Sequence, residues 1–202
     1  MKIYQHYSIF GFSNSYMIGN EKLGKAIAVD PAELTPTMIE KIEQNHFDLC
    51  AIFITHNHTH HIRGLSTIMK IYSPIIYASN AKILEFQCKK VRDGESFEEA
   101  GFSVRAIAVP GHSQDSIVYL VDESFLFTGD VLHAGLIGKT SSTFNTNALA
   151  ARIQQKLFSL PQETVIFPGH GPPSTIFSET RANISYQEGF AEHIKSNYDF
   201  FV

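Results

Sequence analysis

The stretch Leu49-Cys50-Ala51-Ile52-Phe53-Ile54-Thr55-His56-Asn57-His58-Thr59-His60-His61 runs from unbroken apolar sequence straight into four histidines. The apolar part has strand length and no helical period, which reads as a central strand buried on both faces. A loop at the end of a buried strand is where a rigid scaffold places functional groups. Imidazoles concentrated there point to a metal, since neutral imidazole is a borderline ligand that suits Zn²⁺ and also Fe or Mn. His56 and His58, two apart in an extended or turning loop, can face one ion. His60 and His61 are adjacent, so they diverge and can serve a different ion or face.

Outward from this stretch, strand ends keep meeting metal-ligand residues: His112 after Val109, Asp130 after Phe127, His170 after Phe167. The spacing predicts strands over 3–10, 16–18, 26–29, 75–77, 102–109, 117–121, 124–127 and 164–167. Thr35-Pro36 reads as an N-cap followed by Pro at the first helical position, opening a helix that ends near Asn45. Further helices are expected over 63–71, 80–86, 145–160 (Leu149, Ile153, Leu157 and Leu160 on one stripe) and 177–190. This order fits an α+β or α/β sandwich with helices covering the sheets. Gly111, Gly129 and Gly169 each precede a candidate ligand, where glycine allows positive φ or close backbone approach.

The chain has 202 residues, which predicts a single domain over 1–202. Apolar residues make up 44% and charged ones 18%, enough for a buried core and too few charges for a disordered or coiled-coil chain. The net charge of −4 and the lack of a long basic run argue against a nucleic-acid partner. Two cysteines, Cys50 and Cys88, are too few for a disulfide framework and fit a reducing compartment. No run approaches the ~20 apolar residues that span a bilayer. The expectation is a cytoplasmic protein with no membrane partner.

Thr55-His56-Asn57-His58-Thr59-His60-His61 resembles the HxHxDH signature of the metallo-β-lactamase superfamily. Ala28-Val29-Asp30-Pro31-Ala32 resembles the first motif of that family, PGHS at 110–113 its third, FTGDVLHAGLIGKT at 127–140 its fourth and FPGHGPPST at 167–175 its fifth. The spacings resemble the short members of the glyoxalase II branch, which lack a C-terminal helical substrate domain. The resemblance implies a four-layer αβ/βα sandwich with two divalent metal ions, Zn first, between the sheet edges. His56, His58 and His112 would hold the first ion, and His61 and His170 the second, with Asp130 as the bridging carboxylate. Asp30 matches the buried acid that orients a ligand histidine. Locally it reads equally well as an Asx turn before Pro31.

The activity so implied is hydrolysis of a thioester, such as S-lactoylglutathione, by a metal-bound hydroxide. A thiolate leaves readily because a thiol pKa lies near ~8.5. Lys139 falls where relatives grip the glutathione carboxylate. It also reads as an ordinary surface lysine. The alternative enzyme is a mononuclear-iron persulfide dioxygenase using His56, His112 and Asp130. One position departs from the signature, since His60 stands where the motif has Asp. That residue lies at the reacting centre, with Asp130, and its change opens a third reading: a catalytically degraded metal-binding protein.

Overall fold

The computed structural model describes residues 1–186. Its first half supplies β1 (Lys2–Tyr7), β2 (Asn14–Asn20), β3 (Lys25–Val29), β4 (Asp48–Phe53), β5 (Ile75–Ala78), the short β6 (Lys82–Ile83) and β7 (Phe86–Gln87), and β8 (Lys89–Lys90). Helices α1 (Pro36–Gln44), α2 (Thr59–Ile62) and α3 (Leu65–Ile71) lie between them. The second half supplies β9 (Ser96–Glu99), β10 (Phe102–Ala108), β11 (Ile117–Val121), β12 (Phe125–Gly129), the short β13 (Leu132–His133) and β14 (Leu136–Ile137), β15 (Val165–Pro168) and β16 (Ser174–Thr175). It carries α4 (Thr143–Lys156) and α5 (Ile176–Ala182).

Two six-stranded sheets result, ordered β1-β2-β3-β4-β5-β8 and β16-β15-β12-β11-β10-β9. Strand periodicity decides which layer each face meets. Tyr16, Ile18, Ile27, Val29, Ala51 and Phe53 meet Val104, Ala106, Tyr119 and Phe127 between the sheets. Their neighbours Met17, Ala28 and Ile52 face the other way and pack with Ile42 of α1 and Leu65 and Ile68 of α3. On the far side Val118, Leu120 and Leu126 pack with Leu149 and Ile153 of α4 and Ile176 of α5. The architecture is therefore the expected helix–sheet–sheet–helix sandwich. β4 is flanked by parallel β3 and β5 and buried on both faces, as its unbroken apolar run predicts.

Local signals held where their side chains had no better partner. The Met38 N–H donates to Thr35 Oγ1 (3.3 Å), so Thr35 caps α1. Asp122 and Glu123 take φ of 48° and 52° in the three-residue β11–β12 connection, where the Ser124 N–H donates to Val121 O (3.1 Å), the pair of positive φ that a type I′ turn requires. The helix expected over 80–86 is absent. Asn80 donates instead to Asp115 Oδ2 (2.7 Å), Leu84 takes φ 52°, and the segment folds into the β6–β7 hairpin. The last helix is shorter than expected, since Asn183 leaves helical geometry at ψ 113° and Ile184–Tyr186 form a 3₁₀ turn. Positions 187–190 of that expectation lie outside the described residues. No helix among the described residues is long and apolar enough to cross a membrane.

Candidate metal centre

β3, β4, β12 and β15 all end at one edge of the sandwich. β12 and β15 run parallel, so Asp130 and His170 leave neighbouring strands together, and the Gly169 N–H donates to Gly129 O (2.8 Å). Across the sheets the Ile117 N–H donates to Thr55 O (2.9 Å). The histidine loop is tied down by Asp115, whose Oδ2 accepts from the Asn57 N–H (3.0 Å).

His56 Nε2 and His112 Nε2 lie 2.9 and 3.0 Å from His58 Nδ1. The i, i+2 pair therefore converges as its spacing predicts. His60 and His61 do not serve separate faces. They lie within the one-turn helix α2 with rings 4.4 Å apart, and both reach Asp130. His60 Nε2 is 3.7 Å from Asp130 Oδ2, and His61 Nε2 is 3.2 Å from Oδ1. His170 Nε2 lies 3.2 Å from Oδ2 and 3.4 Å from His60 Nε2. His56 and His112 stand 3.8 and 3.6 Å from the same Oδ2.

Two overlapping clusters, His56/His58/His60/Asp130 and His60/His61/Asp130/His170, each bring their donor atoms within 4.8 Å of one another. They have the composition of a binuclear site that shares Asp130. Both ring nitrogens of His61, Oδ1 of Asp130 and Nε2 of His133 are buried without a hydrogen-bond partner. Unpaired buried polar atoms are costly, and an ion between them would satisfy the donors. The residues fit divalent metal ions.

The second ring nitrogen of His112, His170, His61 and His56 faces a neighbouring oxygen. His112 Nδ1–H donates to Lys139 O (2.8 Å) and His170 Nδ1–H to Phe12 O (2.9 Å). His61 Nδ1 faces Asp30 Oδ2 (3.3 Å). His56 Nδ1 lies 3.0 Å from Thr55 Oγ1, which donates to Asp30 Oδ2 (2.6 Å). In these four imidazoles Nε2 is the nitrogen turned to the centre, whereas His58 presents Nδ1.

The electrostatics follow burial and Asp130. Burial, with the neighbouring His61, pushes His56 down to about 2, and burial also lowers His58 and His112. Burial would lower His61 too, but the Asp130 and Asp30 carboxylates hold it up to about 10. Burial would raise the Asp130 carboxyl. The imidazoles of His133, His170, His60 and His61 outweigh it and keep the group well below the usual carboxylate range.

Lys139 differs from expectation in one respect. Its side chain is exposed, while its backbone carbonyl holds His112. Two residues at the centre were not singled out in the sequence. Asp115 anchors the histidine loop. His133 sits three residues after Asp130, within the quoted fourth motif, with its Nε2 3.7 Å from Asp130 Oδ1.

The sequence matches the model of the metallo-beta-lactamase superfamily over residues 8–87 and 88–170. It is 32% identical over 190 residues to a probable polyketide biosynthesis zinc-dependent hydrolase, BaeB, of Bacillus velezensis, covering 88% of this chain and 83% of that protein. It is 29% identical over 163 residues to a hydroxyacylglutathione hydrolase of Chromohalobacter salexigens, covering 79% of this chain and 63% of that one, so it spans less than two thirds of that relative. The crystal structure of ETHE1 from Myxococcus xanthus superposes with a TM-score of 0.84 and 27% identity, over 98% of this chain and 92% of that chain. The chain belongs to the metallo-β-lactamase superfamily.

Proposed function

We propose that the protein is a metal-dependent hydrolase of a thioester, with an S-acylglutathione as its substrate class. The observation that carries this reading is Asp130, a buried carboxylate shared by two histidine clusters. The similarity to hydroxyacylglutathione hydrolases supports the thioester, and the zinc-dependent relative supports zinc. His56, His58, His112 and Asp130 would hold the first ion. His60, His61, His170 and Asp130 would hold the second. Divalent ions bound there polarise a carbonyl and make water acidic enough to ionise near neutral pH.

The chain's own residues prepare that chemistry. Asp30, reached by His61 directly and by His56 through Thr55, fixes the orientation of one imidazole from each cluster. Lys139 O and Phe12 O do the same for His112 and His170. Asp130 supplies the negative charge between the clusters. The exposed Lys139 ammonium, a mobile point charge, would bind a substrate carboxylate away from the scissile bond.

The mononuclear dioxygenase reading needs only His56, His112 and Asp130. The convergence of His58 on both imidazoles and the unpartnered atoms of the second cluster weigh against it. The degraded-site reading is weakened by His60, whose ring stays in the cluster at the signature's Asp position.

The test is metal analysis of protein purified without added metal, then assay of each metal form with S-lactoylglutathione. Two ions and chelator-sensitive hydrolysis support the reading. One iron with oxygen uptake on glutathione persulfide, or no turnover in any metal form, would reject it.

A further inference from the structure

His133 approaches the centre from outside both histidine clusters. Its Nε2 is buried, has no hydrogen-bond partner, and lies 3.7 Å from Asp130 Oδ1. That is too long for a hydrogen bond, which closes at about 3.2 Å or less. It is a separation that two donors sharing an ion can take, since ligands ~2.0–2.2 Å from one Zn²⁺ lie about 3–4 Å apart over the range of angles found in four- and five-coordinate sites. His60 and His112 stand at 3.7 and 3.6 Å from the other oxygen of the same carboxylate. The His133 ring meets that of His170 edge to face at 5.7 Å. It therefore stands beside the second cluster.

The fold holds His133 there. The β13–β14 hairpin turns at Ala134-Gly135, where Gly135 has φ 81°, a conformation that glycine adopts freely. The Gly135 N–H donates to both oxygens of the buried Glu179 (3.2 and 3.0 Å). The Ile184 N–H donates to Gly135 O (3.0 Å), and the Ile137 N–H to Ser185 Oγ (2.9 Å). Thr128 Oγ1 donates to Leu132 O (2.8 Å). A two-residue hairpin fastened on both strands makes His133 a positioned group.

We propose that His133 Nε2 is an additional ligand of the second ion, so that this pocket offers four imidazoles, from His60, His61, His133 and His170, and one carboxylate, from Asp130. The inference rests on the two-ion assignment above. A donor set with one carboxylate and four nitrogens selects ions that favour imidazole, Zn²⁺ and Co²⁺, over Mn²⁺, which favours oxygen.

The test titrates metal-free protein with Zn²⁺ and Co²⁺ and reads stoichiometry, affinity and the visible Co²⁺ spectrum, without any assay of turnover. Wild-type protein takes up two ions per chain. His133→Phe and His133→Gln keep the first ion, weaken the second by at least ~10-fold, and change the Co²⁺ band of that site. Imidazole added to His133→Gly restores second-ion binding, because the vacated space accepts the free ligand. Two ions bound by His133→Phe and His133→Gln with wild-type affinity and spectrum would overturn the proposal and leave the two-ion reading intact. A single ion in the wild type would overturn both. Two ions with the expected His133 effects, but no thioester hydrolysis, would leave this proposal standing and reject the proposed activity.

Discussion

Asp30 accepts two hydrogen bonds from Thr55, one from the backbone N–H (2.8 Å) and one from Oγ1 (2.6 Å). It does so from a left-handed backbone at φ 46° and from a buried position. One carboxylate therefore fixes the start of the histidine loop, and it faces His61 Nδ1 as well. The Asx-turn reading of this residue fails, because the Ala32 N–H donates to the backbone carbonyl of Asp30 (2.8 Å) and to Ser15 Oγ (3.0 Å), which leaves the carboxylate to Thr55 and His61.

Asp30→Asn should separate these roles. The amide keeps one acceptor and turns an NH₂ toward donors. A buried donor left unpaired costs about 1–3 kcal/mol. The variant should lose about that much stability in urea unfolding and bind metal ~10–100-fold more weakly. Unchanged metal affinity would show that Asp30 serves the fold alone.

Glycine at 169 is required by the centre. A Cβ there would overlap Asp130 Oδ1, with His61 Cε1 also in contact. Its φ lies outside the left-handed region, so close approach is the whole reason for it. Gly129 adds a second reason, because its φ is 50° and a Cβ would strike Thr55 Oγ1. Gly169→Ala should fold and lose bound metal. Gly129→Ala should lose stability as well, by about 1–3 kcal/mol for the strained backbone. Thermal melts of both variants, with metal content measured alongside, give the comparison.

These residues show what a chain can disclose before it is folded. The β4 run and the four histidines after it carry their meaning in composition and period, so sheet position and metal chemistry were both legible. The helix over 80–86 misread Asn80 as a cap, because its true partner, Asp115, is 35 residues away. His133 stood inside the quoted fourth motif, but its sequence neighbours did not show that it faces Asp130. Only a two-residue hairpin, clamped by Glu179 from the end of the described chain, brings it to Asp130. Lys139 O was invisible for another reason: a backbone carbonyl has no letter in the sequence.

Lys139→Ala should raise KM for glutathione thioesters by up to ~5-fold, the factor that ~1 kcal/mol of an exposed ion pair provides. kcat should hold, since a grip remote from the reacting carbon serves ground and transition states alike. The His112–Lys139 carbonyl contact survives the substitution, so metal content should also hold. An unchanged KM would remove the glutathione carboxylate from this lysine.

Thiol reagents should leave the activity intact. Cys50 is half-buried with Sγ 3.4 Å from Ala26 O, and burial, then the nearby Glu99, pushes its thiol up to about 11. Burial raises Cys88 too. The thiolate is the reactive form, so alkylation at pH 8 should be slow in the folded protein and fast in urea. For Cys50 it should accelerate as pH climbs toward 11. Rapid inactivation by iodoacetamide at pH 8 would contradict the geometry.

The last expectation concerns the departure at position 60. Its Nε2 stands 3.4 Å from His170 Nε2 and 3.7 Å from Asp130 Oδ2, so the ring occupies the second pocket. Its main chain is held there, because Ser13 Oγ donates to His60 O (2.9 Å). His60→Asp changes two things. A carboxylate is shorter than an imidazole presented through Nε2, which costs reach. It also restores a negative charge to a pocket whose one shared carboxylate is Asp130. At an effective dielectric near 20, a unit charge ~4 Å from another is worth ~4 kcal/mol, and more toward a dication. A water can span a shortfall in reach at modest cost, so charge should dominate. The variant should bind the second ion at least ~10-fold more tightly and turn over faster at neutral pH. In the native protein the second ion should then be the weaker of the two. Metal titration and kcat on the two proteins decide it. Equal, tight binding of both ions by the native chain, with a slower His60→Asp, would mark His60 as a ligand adapted to its pocket.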